Sequence, residues 1–224
     1  MKAIVLFGSP GSGKGTQAKL LTECLAIPHV STGDMLRDRI RQGKGLAAEM
    51  AVTMQAGALV SDHVVDTMVE QRLSESDAAR GFVLDGYPRT LSQAKRFCGW
   101  LDGRGVREVV IHLAVDYNII IDRLTGRREC PRCGTLYNVA FQPPKVDSLC
   151  DLDGTPLTIR DDDRETVIRP RLEAYEQQTR PVLDYLRQAG RRVVEVSSTN
   201  EPPAAVYEKI RLAIGTDDCS KNGR

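Results

Sequence analysis

Aromatic residues and long apolar runs are both scarce in this sequence of 224 residues. Phe, Trp and Tyr make up 5% of it and the hydrophobic fraction is 41%, so the core must be mainly aliphatic. No run approaches the roughly 20 consecutive apolar residues that cross a bilayer. The apolar start at residues 3–7 meets glycines, where a signal peptide would have a small-residue cleavage site. We therefore expect a cytoplasmic protein with no membrane partner.

Net charge is nearly absent as well, at +1. This balance and the lack of a basic stripe argue against a nucleic-acid partner and against an anionic membrane. Lysine is scarce among the basic residues, with 8 Lys against 23 Arg. Arginine binds phosphate oxygens in pairs through its planar guanidinium. A GC-rich genome would also favour arginine codons, so this ratio decides little alone.

Apolar runs bounded by turn residues occur at four places, and such runs are typical of buried parallel strands. They occupy residues 3–7, 81–85, 106–115 and 192–196. Helical patterns separate the runs. We therefore expect an α/β fold in three layers, with a central parallel sheet covered by helices on both faces.

Residues 127–160 break this rhythm, because they have four prolines, no helical period and three of the six cysteines. Cys130, Cys133, Cys150 and Asp153 have the spacing C-x2-C-x16-C-x2-D, which is that of a zinc ribbon with Asp in place of the fourth Cys. Because so short a segment builds little core, a structural Zn2+ would stabilise it. Iron, cobalt or a metal-free segment with free thiols are the alternatives.

The other cysteines and the histidines carry weaker signals. Isolated cysteines are predicted to be core or tail residues. They are Cys24, Cys98 and Cys219. His29, His63 and His112 have no partner evident in the sequence, and His112, inside an apolar run, is predicted to be a hydrogen-bonded core histidine.

The first apolar run leads into a glycine-rich segment that resembles the phosphate-binding pattern G-x4-G-K-[ST]. It reads Gly8-Ser9-Pro10-Gly11-Ser12-Gly13-Lys14-Gly15-Thr16. Glycines let backbone N–H groups wrap phosphates closely, the following helix points its N-terminus at the anion, and Lys14 adds a full charge. The hydroxyl falls at Thr16, one position later than in the pattern, which leaves direct ligation of Mg2+ by that hydroxyl open. This loop alone does not separate kinases from motor or switch NTPases.

Two further segments indicate which class of phosphate-binding protein this is. Ser31-Thr32-Gly33-Asp34-Met35-Leu36-Arg37 and Asp85-Gly86-Tyr87-Pro88-Arg89-Thr90, with Gln93 shortly after, resemble the signature segments of adenylate kinases. The resemblance runs from about Lys2 to Ile214. It implies a P-loop enzyme of the long, zinc-lid type that catalyses ATP + AMP ⇌ 2 ADP with Mg2+. It also suggests a monomer.

The resemblance implies a division of the chain into parts. Residues 1–30, 61–126 and 161–216 would form the core P-loop domain. Residues 31–60 would be a helical segment that binds the nucleoside monophosphate, residues 127–160 the mobile lid with the metal, and residues 217–224 a frayed tail. Closure of the lid would expel water, which otherwise accepts the phosphoryl group.

The resemblance also implies roles for individual residues. ATP would be bound by Gly11, Ser12, Gly13, Lys14, Gly15, Thr16, Arg123, Arg127, Leu136, Tyr137 and Asn200. AMP would be bound by Thr32, Arg37, Ala58, Leu59, Val60, Gly86, Tyr87, Pro88, Arg89, Gln93, Arg160 and Arg171. The catalytic residues would be Lys14, Asp85, Arg89, Arg123, Arg160 and Arg171. Asp85 would hold the water shell of Mg2+, and Thr32 and Gln93 would read adenine.

These residues could also have no role in binding or catalysis. Arg37 could be a solvated helix residue, Asp85 a cap of the next element and Gln93 a surface residue. The charged run 160–165 would then be an ordinary solvated helix start. Their joint occurrence favours the enzyme. Three other functions remain: a kinase for UMP, CMP or GMP, a nucleotide-binding module without turnover, and a metal-dependent nucleic-acid binder.

Overall fold

A computed structural model describes residues 2–43 and 45–215, without the side chain of Lys2. A parallel sheet of five strands lies at the centre, in the order β2-β3-β1-β4-β7. Its strands are β1 Lys2–Phe7, β2 His29–Ser31, β3 Gly81–Asp85, β4 Arg107–Ala114 and β7 Arg192–Ser197. The α/β class and all four predicted strands are confirmed. The short β2 adds a fifth strand at one edge.

Helices connect these strands and cover both faces of the sheet. They are α1 Lys14–Leu25, α2 Thr32–Gln42, α3 Ala47–Gln55, α4 Asp62–Leu73, α5 Leu91–Asp102, α6 Tyr117–Thr125, α7 Glu165–Ala174, α8 Arg180–Gln188 and α9 Pro203–Ile214. A π-helical turn, Tyr175–Thr179, joins α7 to α8. No helix of the described part of the chain is both long and apolar enough to cross a membrane.

The central strand β1 divides the core between the two faces of the sheet. Ala3, Val5 and Phe7 pack into one hydrophobic cluster, while Ile4 and Leu6 pack into the other. Consecutive side chains of a strand point to opposite faces, so a strand buried on both sides reads as an unbroken apolar run. This is why the sequence pattern identified β1 correctly.

The cysteines outside the predicted metal cluster and His112 can now be placed in the fold. Cys98 is buried in the core and Cys24 lies in α1, while Cys219 and the predicted tail 217–224 lie outside the described residues. The hydrogen bonding predicted for His112 is confirmed, since its two ring nitrogens lie 3.1 Å from Glu195 Oε2 and 3.4 Å from the Tyr175 hydroxyl. The side chain is 17% exposed, so it lies at the border of the core rather than inside it.

Residues 127–160 form a small unit beside the sheet. The strands β5 Arg127–Glu129 and β6 Leu136–Asn138 form an antiparallel pair, and the segment has no helix, as predicted. Its core is Tyr137 together with Cys130 and Cys150. This absence of an aliphatic core agrees with the need for another source of stability.

The segment 31–60 packs closely on α7. Gly57, with φ +73°, follows α3, and a Cβ at this position would lie 2.8 Å from Pro170 Cβ and 3.1 Å from Val167 O. Only glycine fits here without displacing α7. The backbone of one predicted part therefore touches the helix that carries Arg171.

Candidate active site

The phosphate loop lies at the carboxyl end of the central strand, where open parallel sheets bind ligands. Gly8 has φ +149°, and a Cβ there would lie 2.8 Å from Leu113 O. Lys14 Nζ donates to Gly8 O and Ser9 O, both at 2.8 Å. The ammonium group is thus held over the loop at the N-terminus of α1, where an anion would be stabilised.

The electrostatics of the loop depend on its surroundings. The pKa of Lys14 is lowered to about 8, mainly by burial. The charge of Asp85 opposes this shift, and the charges of Arg89, Arg171 and Arg127 add to it. A positive site this crowded favours an anionic ligand, because bound phosphate would compensate the charges.

Asp85 ends β3, next to β1, with Asp85 paired to Leu6 in the register of the sheet. His29 Nε2 lies 3.5 Å from Asp85 Oδ2. Burial alone would raise the pKa of Asp85, but the contact with His29 and the charge of Lys14 hold it below its ordinary value. A buried carboxylate that stays ionised beside a phosphate loop is suited to a divalent cation and its water shell.

Arginines from separate elements converge on the loop. Arg123 Nη2 donates to Ser198 O at 2.8 Å, and Ser198 Oγ donates to Ser12 O at 3.1 Å, so α6 and the end of β7 are tied to the loop. Arg127 makes a bidentate contact with Asp163, and Arg171 Nη1 donates to the same carboxylate at 2.7 Å. Two guanidinium groups are therefore fixed by one carboxylate.

The charged run 160–165 is not an ordinary solvated helix start. The side chain of Asp163 is 0% exposed, and that of Asp162 is 10% exposed. Arg160 Nε donates to Glu129 Oε2 at 2.6 Å, and its Nη2 lies 3.8 Å from Asp34 Oδ1. Acids thus hold these arginines where phosphates could later replace them.

The second half of the site lies between α2 and the loop after β3. Thr32 Oγ1 donates to Gly86 O at 2.8 Å, and Arg89 Nε donates to the same oxygen at 2.7 Å. Arg37 pairs with Asp34, and its Nη1 lies 3.5 Å from Asp162 Oδ2. The side chain of Gln93 is only 2% exposed, so the alternative interpretation of Gln93 as a surface residue is wrong.

One cleft of about 1790 Å³ contains both halves. Every residue that the sequence predicted for the ATP site, the AMP site and catalysis lines it, including Leu136, Tyr137 and Asn200. Its volume exceeds the roughly 300–1,000 Å³ of a typical small-ligand pocket, and two nucleotides would fit. Which residue contacts which nucleotide stays a prediction. The hydroxyl of Tyr137 points into the lid, 3.5 Å from Cys150 Sγ.

The predicted metal ligands lie together. Ligand atoms of Cys130, Cys133, Cys150 and Asp153 are all within 4.8 Å of one another. Cys133 Sγ lies 3.5 Å from Cys150 Sγ, and Cys130 Sγ lies 3.5 Å from both oxygens of Asp153. Tetrahedral zinc with Zn–S bonds of about 2.3 Å would separate its sulfur ligands by about 3.8 Å. The donor set therefore fits a four-coordinate metal.

Two matching turns build this cluster, and each begins with a cysteine and continues into Gly-Thr. In the first, Cys130 N donates to Thr135 O and Gly134 N to Cys130 O; in the second, Cys150 N donates to Thr155 O and Gly154 N to Cys150 O, all at 2.9 Å. The repeat puts Asp153 where the first turn has Cys133. A hydrogen bond from the Thr155 N–H holds the pKa of the Asp153 carboxyl well below its usual range.

Sequence reasoning missed several residues of the site. His29, Asp34, Asp62 and Glu129 contact Asp85, Arg37, Gln93 and Arg160 respectively. Asp34 lies within a recognised motif and could have been found there. The other three belong to separate segments, so only the folded chain brings them to their partners.

A phosphate loop on the central strand, an acid on the neighbouring strand and arginines from both sides of one cleft define a P-loop phosphotransferase acting on nucleotides. Comparison with known proteins narrows this class. The profile of the adenylate kinase family matches residues 6–191, and the chain belongs to that family. It is thus a nucleoside-monophosphate kinase, an adenylate kinase by function.

Individual relatives agree with the family. An adenylate kinase of Moorella thermoacetica is 43% identical over 215 residues, which cover 96% of this chain and 98% of the relative. One from Syntrophotalea carbinolica is 47% identical over 188 residues, covering 84% and 87% of the two chains. One from Anaeromyxobacter sp. strain K is 42% identical over 214 residues, covering 92% and 98%.

Proposed function

We propose that this enzyme catalyses ATP + AMP ⇌ 2 ADP with the residue roles predicted from its sequence. The observation that carries this proposal is the single cleft in which Lys14 and the guanidinium groups of Arg37, Arg89, Arg123 and Arg171 meet. Two anionic ligands brought end to end need such a set of cations between them. The enzyme uses Mg2+ with ATP, and Asp85 would hold its water shell.

The chemistry follows from the charge that develops on the transferred phosphoryl group. Its equatorial oxygens gain charge in the transition state, and little covalent work is left to the protein. Lys14, Arg123 and Arg171 stabilise that charge and keep donor and acceptor in line. The acceptor is already an anion, so no general base is required. Arg37 and Arg89 hold the phosphate of AMP from two sides.

The parts of the chain take the boundaries predicted above: a core of 1–30, 61–126 and 161–216, an AMP-binding segment 31–60 and a lid 127–160. Arg160 lies at the border of the lid, and its ion pair with Asp34 of the AMP-binding segment supports a lid that contacts this segment across the cleft. Closure would bring the lid arginines onto the phosphates and exclude water.

We propose a structural Zn2+ in the lid, bound by Cys130, Cys133, Cys150 and Asp153. The matched turns and the sulfur separations support this assignment. All four ligands come from the protein, which leaves no open position for catalysis. We further propose a cytoplasmic location, as expected from the sequence. The resemblance to the family supports a monomer that acts on ATP, AMP and ADP.

The test is ADP production from ATP and Mg2+ with AMP, UMP, CMP or GMP as acceptor, using protein assayed for bound metal. We expect turnover with AMP far above that with the others, and one equivalent of zinc. Lys14→Met should lower kcat by about a hundredfold or more, because one preorganised cation is lost from the transition state. Lys95→Met, an exposed lysine of α5, is the matched control and should behave as wild type.

Other outcomes of these experiments would each contradict a different part of the proposed function. Turnover with another monophosphate would keep the phosphoryl transfer but overturn the roles of Thr32 and Gln93. Activity that survives Lys14→Met would overturn the role of the loop lysine. A lid without metal in active protein would remove the zinc assignment alone.

A further inference from the structure

We infer that Asp62 is a positioning residue that fixes the side-chain amide of Gln93 in one orientation, and that this orientation selects a 6-aminopurine acceptor over a 6-oxopurine. The inference deepens the proposed function and rests on it, because it requires that Gln93 faces the base of the acceptor nucleotide. Asp62 itself does not line the cleft, whereas Gln93 does.

The contacts of Gln93 define the orientation. Its Oε1 accepts from the Arg89 backbone N–H at 2.7 Å, and its Nε2 donates to Asp62 Oδ1 at 2.8 Å. Gln93 lies in the first turn of α5, and Asp62 is the first residue of α4. Two separate elements and one loop therefore meet at this amide.

The oxygen and nitrogen of the Gln93 amide cannot exchange places without losing both hydrogen bonds. A backbone N–H is only a donor and an ionised carboxylate is only an acceptor, so the oxygen must face Arg89 and the nitrogen must face Asp62. A flipped amide would bring Oε1 against a carboxylate oxygen and two donors against each other. Gln93 is 2% exposed, so water would not relieve those contacts.

Asp62 is itself held in place. Its second oxygen, Oδ2, accepts from Thr90 Oγ1 at 2.7 Å, and the Thr90 hydroxyl also accepts from Gln93 N at 3.2 Å as the cap of α5. The carboxylate cannot rotate away from Gln93 without breaking this bond. Thr90, Asp62 and Gln93 thus form a closed set of hydrogen bonds behind the wall of the cleft.

The fixed amide leaves a defined pattern for a ligand. The two described bonds of the amide use one lone pair of Oε1 and one hydrogen of Nε2, so one of each remains. A 6-aminopurine offers an amino donor beside a ring-nitrogen acceptor, and it pairs with an acceptor and a donor in that order. A 6-oxopurine offers the reverse pattern and would need the flipped amide.

A purely structural role for Asp62 makes a different prediction. A carboxylate in the first turn of α4 also interacts favourably with the helix dipole, and its loss would lower stability. That loss would affect both kinds of purine equally. Selectivity between purines is therefore the readout that separates the two roles.

The experiment compares AMP and IMP as acceptors, since these nucleotides differ in the 6-position and the adjoining ring nitrogen. Asp62→Asn and Asp62→Ser each replace the obligate acceptor by a side chain that can donate or accept. This removes one of the two constraints on the amide and lowers the cost of the flip, while the Arg89 N–H keeps the other constraint. We expect the ratio of kcat/KM for AMP to that for IMP to fall at least about tenfold, mainly through KM for the monophosphates. KM for ATP should not change.

The matched control is Asp66→Asn, one helical turn further along α4. Asp66 is buried and accepts a hydrogen bond from the Tyr87 hydroxyl at 2.8 Å, but it does not contact Gln93. It should lower stability without changing the AMP-to-IMP ratio. A ratio within twofold of wild type in a folded Asp62 variant would overturn the inference.

Thr90→Val provides a second route if both Asp62 variants fail to fold. It removes the hydroxyl that anchors the carboxylate, and we expect a shift of the ratio in the same direction. Gln93→Ala separates this inference from the proposed function. If Gln93→Ala leaves the preference for AMP intact, Gln93 does not read the base and the residue assignment fails. If it abolishes the preference while Asp62 variants keep it, only the inference fails.

Discussion

Lys14 combines burial with several neighbouring cations, and this combination sets its protonation. Its pKa of about 8 lies well below the ordinary value of 10.5 because burial disfavours the ammonium form. The charged form predominates well below pH 8 and is lost as the pH rises through that value. Nucleotide phosphates favour the ammonium form and would raise the pKa again.

We therefore expect ATP binding at pH 8 to take up roughly half a proton per chain, because about half of the lysines start deprotonated there. Binding calorimetry in two buffers of different ionisation enthalpy measures this uptake. Lys14→Arg is the control, since a guanidinium does not titrate in this range, and its uptake should be smaller by that amount. Equal uptake by both proteins would contradict the lowered pKa.

Among individual residues, the sequence predicted those that lie within recognisable motifs. It missed those whose role depends on contacts between distant segments of the folded chain. Lys14 and the four metal ligands could be identified because their chemistry depends on spacing within short segments. His29 could not, because its partner Asp85 is on another strand. Gln93 was assigned to the base, but its dependence on Asp62 required the packing of α4 against α5.

The segment 127–160, which we propose as the lid, has too small a buried cluster for apolar packing to stabilise it alone. Its buried residues are few, and the two turns that carry the cysteines converge on one point. In zinc-finger peptides, metal binding of this kind contributes roughly 10–16 kcal/mol and replaces a core. The lid should therefore fold only with metal, while the parallel sheet does not depend on it.

We expect chelation, or the substitution Cys150→Ser, to make 127–160 sensitive to protease and to lower kcat severely, because Arg127 and Arg160 border this unit. The core should remain resistant. Limited proteolysis with mass analysis of the fragments and metal assay provide the measurement. Cys98→Ser, which changes a buried thiol outside the cluster, should keep both metal and resistance. A metal-free chain with a fully protected lid would contradict the assignment.

Elements with strong periodicity were predicted well, and short ones were not. The strands at 3–7 and 81–85 follow the sequence pattern, because a strand buried on both faces reads as a continuous apolar run. The strand β2 has three residues and is not among the four apolar runs of the sequence. Its pairing with β3 comes from the sheet and is too brief to leave a pattern in the sequence.

At the scale of the whole molecule, α7 packs directly against Gly57 of the segment 31–60, which we propose binds AMP. The missing side chain allows α7 to approach within van der Waals distance. Arg171 lies on α7, one residue after Pro170, so the spacing at Gly57 also sets the distance between Arg171 and the acceptor site. Crowding at this contact should separate them.

We expect Gly57→Ala to raise KM for AMP several-fold with little change in KM for ATP, and to reduce the free energy of unfolding by about 2–4 kcal/mol from overpacking plus backbone strain. Gly43→Ala is the matched control, because Gly43 also has positive φ, at +64°, but nothing lies within 4 Å of its Cβ position. Steady-state kinetics and denaturant unfolding measure both effects. Equal behaviour of the two variants would show that crowding at Gly57 has no role.

The tie between Ser198 and Ser12 has a consequence for how the protein is made. The phosphate loop is synthesised before Arg123 and Ser198, yet the side chains of both residues hold the carbonyl oxygen of Ser12. The neighbouring strand β4 also follows it by about half the chain. A nascent chain therefore carries the complete loop sequence before the scaffold that shapes it exists, and nucleotide can stabilise the fold only when translation has passed residue 198.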